Sequence, residues 1–391
     1  MTDALRLAEP PIALRGAEPV VITAAAVSSA FGHGVAPLLS AALDGTPGFQ
    51  AVRRFDVTDR RVGVAATLPG SPSLGDELDR VIDEACDEAR LSPAQRADCT
   101  LYVAVHGDPD LPRANGIDAS SHGADTFARS VARRSGLSDE TARAYTSACV
   151  AASTAVADAA AAVARGRVRR VLVAAGYLVD PDQFALFDAG RALAPDGRVR
   201  PFSARRGGLL LGDGVGAVVI ESAAAAARRG VKALARMAGW GRAGDAYHVC
   251  RPRSDGAGLA RAITAAMQRA SIRAEAIGYV NAHGSGTAHS DAAEAAALHS
   301  ALGGSAETVP VSSTKSVHGQ ALEAGALIEL IVTLHALRAG RLPVNAGYLG
   351  PDDGCRLNLV LEPGQTRSVD YALSVNSAFG GANTALLVGA P

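Results

Sequence analysis

Tyr145-Thr-Ser-Ala-Cys149-Val-Ala-Ala-Ser153 opens an alanine-rich run that continues to Arg165. Alanine is the strongest helix former, so the run reads as a helix over 150–165 with Cys149 at its entrance. A thiol placed there meets free N–H groups and the positive end of the helix dipole. Both favour the thiolate, the form a nucleophile needs. A buried cysteine with a packing role gives the same local pattern, so the segment has to be judged by its surroundings.

Outward from this point, strand-like runs alternate with alanine-rich helical ones, the pattern of an α/β fold. Strands are expected over 20–24, 99–105, 171–175, 216–221, 278–282, 309–313, 372–376 and 385–389. Helices are expected over 34–43, 76–88, 124–135, 150–165, 256–270, 291–301 and 321–339. Each part of the chain carries a strand, a reactive-type residue and a small-residue helix, once around Cys149 and once around His283. The chain therefore divides into an irregular lead over 1–18, a first half over 19–228 with the nucleophile, and a second half over 229–391. The second half carries His283, Lys315, Gln320 and a glycine-rich turn.

Three further segments carry chemistry. Tyr279-Val-Asn-Ala-His283-Gly-Ser285-Gly-Thr287 puts a histidine at a strand end, where neutral imidazole can polarise a thioester carbonyl. In its continuation, Asp291 and Glu294 suit the N-terminal turn of a helix. Ser312-Ser-Thr-Lys315-Ser-Val-His318-Gly-Gln320 enters a helix that reaches Glu329, and His318 is expected to face solvent. Asn376-Ser-Ala-Phe379-Gly380-Gly381-Ala-Asn383 reads as a turn between paired strands.

These four segments, in this order, resemble the β-ketoacyl-acyl carrier protein synthases of the fatty-acid synthase II and type II polyketide branch. Arg53-Arg-Phe-Asp56, Leu193-Ala-Pro-Asp-Gly-Arg-Val-Arg-Pro-Phe202 and Leu211-Gly-Asp-Gly-Val-Gly216 extend the resemblance over most of the chain. It implies a thiolase-like fold of two pseudo-duplicated halves in five α-β-α-β-α layers. It also implies a condensing acyltransferase in which Cys149 takes an acyl group from acyl carrier protein and a malonyl-derived carbanion attacks the resulting thioester. In such a site His283 stabilises the enolate, Lys315 orders the centre and Glu329 supports it. The backbone N–H groups of Cys149 and Phe379 hold the oxyanion, Phe379 gates the pocket with Gly380 and Gly381 as hinges, and Ser285 and Thr287 meet the phosphopantetheine arm. The departure is Gln320, where the family has its second histidine. An amide donates a hydrogen bond but carries neither a proton nor a charge. Glu323 in the same turn replaces a small residue. Two alternatives follow: a non-decarboxylating acyltransferase using a Cys149 acyl-enzyme, and a non-catalytic partner subunit akin to a chain-length factor.

Composition narrows the class. The 391 residues are 48% hydrophobic and 20% charged, with a net charge of −1, which excludes disorder and gives no basis for nucleic-acid or membrane-surface binding. Of 38 basic residues only Lys232 and Lys315 are lysines, so a lysine at 315 is a departure from the chain's own habit. The five cysteines have neither disulfide nor metal spacing, which points to a reducing, cytoplasmic setting with no metal. No cofactor is expected beyond the carrier's phosphopantetheine. The expected partners are an acyl carrier protein and a second copy or a related subunit in a dimer; arginines at 167–170, 205–206 and 228–229 are candidate carrier contacts, though solvated surface arginine is the commoner reading of such clusters.

Overall fold

A computed structural model describes residues 18–108 and 123–391; the expected lead over 1–18 lies, but for its last residue, outside them. Gln50–Ala51 and Val64–Ala65 pair separately; all other strands among the described residues form one mixed sheet. From edge to edge it runs Val311–Ser312, Ile277–Asn281, Tyr371–Ser377, Ala382–Gly389, Ala235–Gly244, Val20–Ser29, Gly214–Ser222, Arg170–Tyr177, Thr100–Ala104 and Ser138–Tyr145. Counted outward from the centre, each side repeats one pattern, two antiparallel pairings followed by two parallel ones. The sides meet only at Val21–Arg236 and Ile22–Ala235.

Helices Ala151–Ala164 and Leu322–Ala339 pack on each other and on strands of both sides, forming the middle layer. Helices Leu74–Glu88 and Ala124–Arg134 cover the first side, and Ala257–Ala270 and Ala288–Leu302 the second. This is the five-layered, pseudo-duplicated arrangement implied by the sequence. The middle helices are apolar on nearly every face because protein surrounds them, and alanine lets their backbones approach closely. No helix among the described residues is long and apolar enough to cross a membrane.

Beside three two-residue strands, two long ones escaped the sequence reading. Ser138–Tyr145 is a sheet edge, partly exposed and polar, with no apolar alternation to betray it. Ala235–Gly244 carries glycines that speak against a strand, yet packing requires them. A Cβ at Gly239 or Gly241 would lie 2.1 or 1.9 Å from the carbonyl oxygen of Ala266 or Ala262, in the helix lying across them. Arg54 explains another part of the sequence. Its guanidinium holds both oxygens of buried Asp213 at 3.1 and 2.6 Å, while that carboxylate also accepts from the Leu68 and Val179 N–H groups. The Arg53–Asp56 and Leu211–Gly216 segments thus meet in one structural clamp.

Candidate active site

Cys149 lies on a single 3-10 turn, Ala148–Val150, just ahead of helix Ala151–Ala164. Ala148 has φ +51°, a left-handed conformation that costs a non-glycine residue roughly 1 kcal/mol and that turns the chain sharply before the sulfur. The thiol is 8% exposed. Burial pushes its pKa up to about 12, with the Glu323 charge raising it further and Lys315 pulling it back. Burial thus opposes the preference for thiolate that the helix entrance gives, with Glu323 adding to the opposition and Lys315 relieving it.

The other segments converge on this turn. Strands Ile277–Asn281 and Val311–Ser312 are parallel neighbours, so the loops carrying His283 and Lys315 leave the same sheet end. Ser313 Oγ donates to the carbonyl oxygens of Gly284 and His283 at 2.8 and 3.3 Å. Asn376 Nδ2 donates to Glu329 Oε2 at 2.6 Å, and Ser153 and Thr384 hydroxyls share a 2.7 Å bond. All four sequence motifs are stitched together.

Gln320 Nε2 donates to Cys149 Sγ at 3.0 Å, and its own Oε1 is buried with no partner among the described residues. Lys315, 1% exposed, forms an ion pair with Glu329, which is fully buried. The Lys315 charge acts on both Cys149 and His283. His283 is 5% exposed, and burial, assisted by Lys315, holds its pKa well below the usual range. It is a neutral imidazole whose Nδ1 has no partner among the described residues. Glu294 holds that residue in place, accepting from the His283 and Gly284 N–H groups at 2.6 and 2.7 Å.

Several expectations change. Glu294 and Asp291 serve the His283 loop, not merely the helix dipole: Asp291 accepts from the Phe202 and Gly286 N–H groups at 2.8 and 3.1 Å. His318 does not face solvent. It is buried, bonded to the Thr314 hydroxyl and the Gly319 carbonyl at 3.0 and 2.8 Å, and held near pKa 3 by burial. Ser285 and Thr287 bond each other at 2.9 Å. Phe379 stands on the turn Phe379–Gly381, is 54% exposed and faces Phe187 at 6.3 Å, while Gly380 and Gly381 take φ +81° and +75°. Arg170 and Arg229 pair with buried Glu221, and Arg206 with Asp291 and Asp352. Of the three arginine clusters, Arg167, Arg169, Arg205 and Arg228 are exposed to meet a partner.

Gln320 is placed by a short backbone pairing: its N–H donates to Leu210 O at 2.8 Å, and Gly212 N–H donates to its carbonyl at 3.0 Å. A Cβ at Gly212 would lie 2.0 Å from His318 O. Gly212→Ala is expected to cost about 1–3 kcal/mol by overpacking and to move the loop that brings the amide to the sulfur. Urea unfolding measures the first effect and iodoacetamide labelling of Cys149 the second. Wild-type stability in the variant would contradict this packing.

Family models describe two stretches of the chain, residues 141–226 as a β-ketoacyl synthase N-terminal domain and 234–348 as its C-terminal domain. A protein provisionally named polyketide β-ketoacyl synthase 1 in Streptomyces halstedii is 31% identical over 95% of this chain and 98% of its own. The 3-oxoacyl-[acyl-carrier-protein] synthase 2 of Synechocystis is 36% identical over 61% of this chain and 59% of its own, so that match spans less than two thirds of the relative. Similar partial spans hold for a Streptomyces cyaneus polyketide β-ketoacyl synthase, at 52%, and a Rhizobium meliloti nodulation protein E, at 60%. Among solved structures, the ishigamide ketosynthase/chain length factor superposes with TM-score 0.86 at 26% identity, over 96% of this chain and 100% of the other. A type II polyketide acyl-carrier protein in complex with its ketosynthase gives 0.85 at 25% identity, over 96% and 100%.

Proposed function

We propose, for a chain that belongs to the β-ketoacyl synthase family, that it is a condensing acyltransferase of fatty-acid or polyketide synthesis with Cys149 as its nucleophile. The observation that carries this reading is the Cys149–Gln320 contact, set beside the buried Lys315–Glu329 pair and behind the strained Ala148. The sulfur attacks an acyl thioester borne on the phosphopantetheine of an acyl carrier protein. The backbone N–H groups of Cys149 and Phe379 hold the oxyanion, each such donor being worth about 3–4 kcal/mol. Once the sulfur is acylated it accepts hydrogen bonds poorly, which frees the Gln320 amide to turn to the enolate oxygen of a malonyl-derived nucleophile. Neutral His283 supplies the second donor there, and its depressed pKa keeps it a hydrogen-bond donor without charge. The partners proposed are the acyl carrier protein and a second copy or related subunit.

A second reading, acyl transfer without decarboxylation, is favoured by one feature. Gln320 brings no positive charge to meet a malonyl carboxylate, and Glu323 adds a negative one beside the sulfur. Release of CO2 from malonyl-carrier thioester decides between them. The condensing reading expects release that depends on prior acylation, and an increase of about 10²-fold in Gln320→His, where a titratable ring replaces the amide. Acylated protein that releases no CO2, with or without the substitution, leaves only acyl transfer.

A further inference from the structure

Glu323 occupies the first turn of helix Leu322–Ala339, next to Leu322, whose φ of +38° is left-handed. Its carboxylate is buried, 2% exposed for the residue. Oε1 lies 3.0 Å from His106 Nδ1, while Oε2 has no hydrogen-bond partner among the described residues. An unpaired carboxylate oxygen in such a place costs stability, so its retention calls for a use. His106 ends the Thr100–Ala104 strand region with its ring 61% exposed, and its Nε2 lies 2.9 Å from Gln183 Nε2. A carboxylate can only accept, so His106 Nδ1 is the donor to Glu323, and that bond raises the ring's pKa.

Helix Leu322–Ala339, whose first turn carries Glu323, packs on the 3-10 turn of Cys149, and Gln320, three residues before Glu323, reaches the sulfur at 3.0 Å. Of the charges acting on the sulfur, Glu323 has the largest effect, ahead of Lys315 and Glu329. The other candidates for taking the thiol proton are disqualified. Gln320 is an amide, His318 has both ring nitrogens engaged, Glu329 is bound to Lys315 and Asn376, and His283 is a very weak base.

We infer that Glu323, held by His106, is the proton acceptor for Cys149, supplying the base that residue 320 does not. This rests on the reading of Cys149 as the nucleophile. As the Cys149 sulfur bonds to the thioester carbon, its proton passes across one water to Glu323 Oε2. The tetrahedral intermediate then collapses, the bond to the carrier sulfur breaks, and the departing thiolate takes the proton back. The products are acyl-Cys149, free carrier thiol and Glu323 carboxylate. The titratable groups facing this pair are His106 and Tyr177 beside Glu323, Lys315 and Glu329 beside Cys149, and Asp180 beside His106.

A purely electrostatic role gives the opposite sign. A fixed negative charge raises the thiol's proton affinity, so its removal would make Cys149 more reactive. The test is the rate of iodoacetamide alkylation at Cys149 in the full chain, read by peptide mass spectrometry from pH 6 to 9. With Glu323 as base, wild-type Cys149 is alkylated readily already at neutral pH. In Glu323→Gln the rate falls by about 10²-fold and climbs steadily with pH. An unchanged or faster rate in that variant overturns the inference. Should Glu323→Gln fail to fold, His106→Asn serves: without the imidazole that orients the carboxylate, alkylation of Cys149 slows, and an unchanged rate overturns the inference. Acylation by a simple acyl-pantetheine thioester separates the two claims. Normal acylation with unaltered alkylation in Glu323→Gln sinks the base alone, whereas slowed alkylation with no acyl adduct in the wild type sinks the nucleophile reading alone.

Discussion

Cys149→Ala forms no covalent adduct with an acyl-carrier thioester and loses condensation by about 10³-fold or more, as expected when the nucleophile of a covalent mechanism is removed. Peptide mass spectrometry detects the adduct, and Cys250 provides an internal control because it is exposed and remains open to alkylation in both proteins. The remaining three cysteines are buried, so an adduct that persists in the variant would have to sit on another residue and would end the case for Cys149. The same variant reports on the thiol's protonation. Burial raises the folded pKa of Cys149 to about 12, well above the roughly 8.5 of a free cysteine. The folded protein therefore keeps a proton that the unfolded chain releases. Stability from this source is full below the unfolded value and is lost as pH rises through the interval toward the folded one. Cys149→Ala removes that loss, so its stability declines less steeply above about pH 8.5.

What the sequence discloses is local. The alanine run after Cys149 marks its helix because composition alone sets that propensity, and Lys315 stands out because the chain otherwise uses arginine. The motifs at His283, Lys315 and Phe379 adjoin strands whose apolar runs show in the sequence, whereas the strand that leads to Cys149, Ser138–Tyr145, does not show. What stays hidden depends on distant parts meeting. The Glu323–His106 contact joins residues 217 positions apart, and neither has a local pattern to announce it. His318 looks like a loop residue, yet its burial comes from Thr314, Gly319 and the packed Leu210–Gly212 segment. Burial opposes ionisation of Cys149, a cost that no helix-entrance argument contains. Gln320 itself is legible as a substitution, but not its position on the sulfur, because a backbone pairing with Leu210 and Gly212 puts it there.

Lys315→Met is expected to destabilise the protein by about 3–5 kcal/mol, the cost of stripping one partner from a buried ion pair. The pair ties three elements together, since Lys315 lies on the short helix Lys315–His318, Glu329 on Leu322–Ala339, and Asn376, which donates to Glu329 at 2.6 Å, on Tyr371–Ser377. Without the ammonium, Glu329 is a carboxylate in the fully buried middle layer. Burial already pushes its pKa up and Lys315 is the main restraint, so the variant's Glu329 rises further. A carboxyl raised on folding stabilises fully below the unfolded value, about 4.3, and loses that contribution as pH rises through its folded value. The deficit should therefore be small at pH 5 and grow toward pH 8. Urea unfolding at both values measures it, and adding Glu329→Leu should restore much of the loss by removing the stranded charge. The chemistry should respond in step. His283, no longer opposed by a neighbouring cation, becomes easier to protonate, and the thiol, deprived of the charge that lowers its pKa, harder to ionise. Equal deficits at both pH values, with no recovery in the double variant, would show that Lys315 is held there by packing and not by its charge.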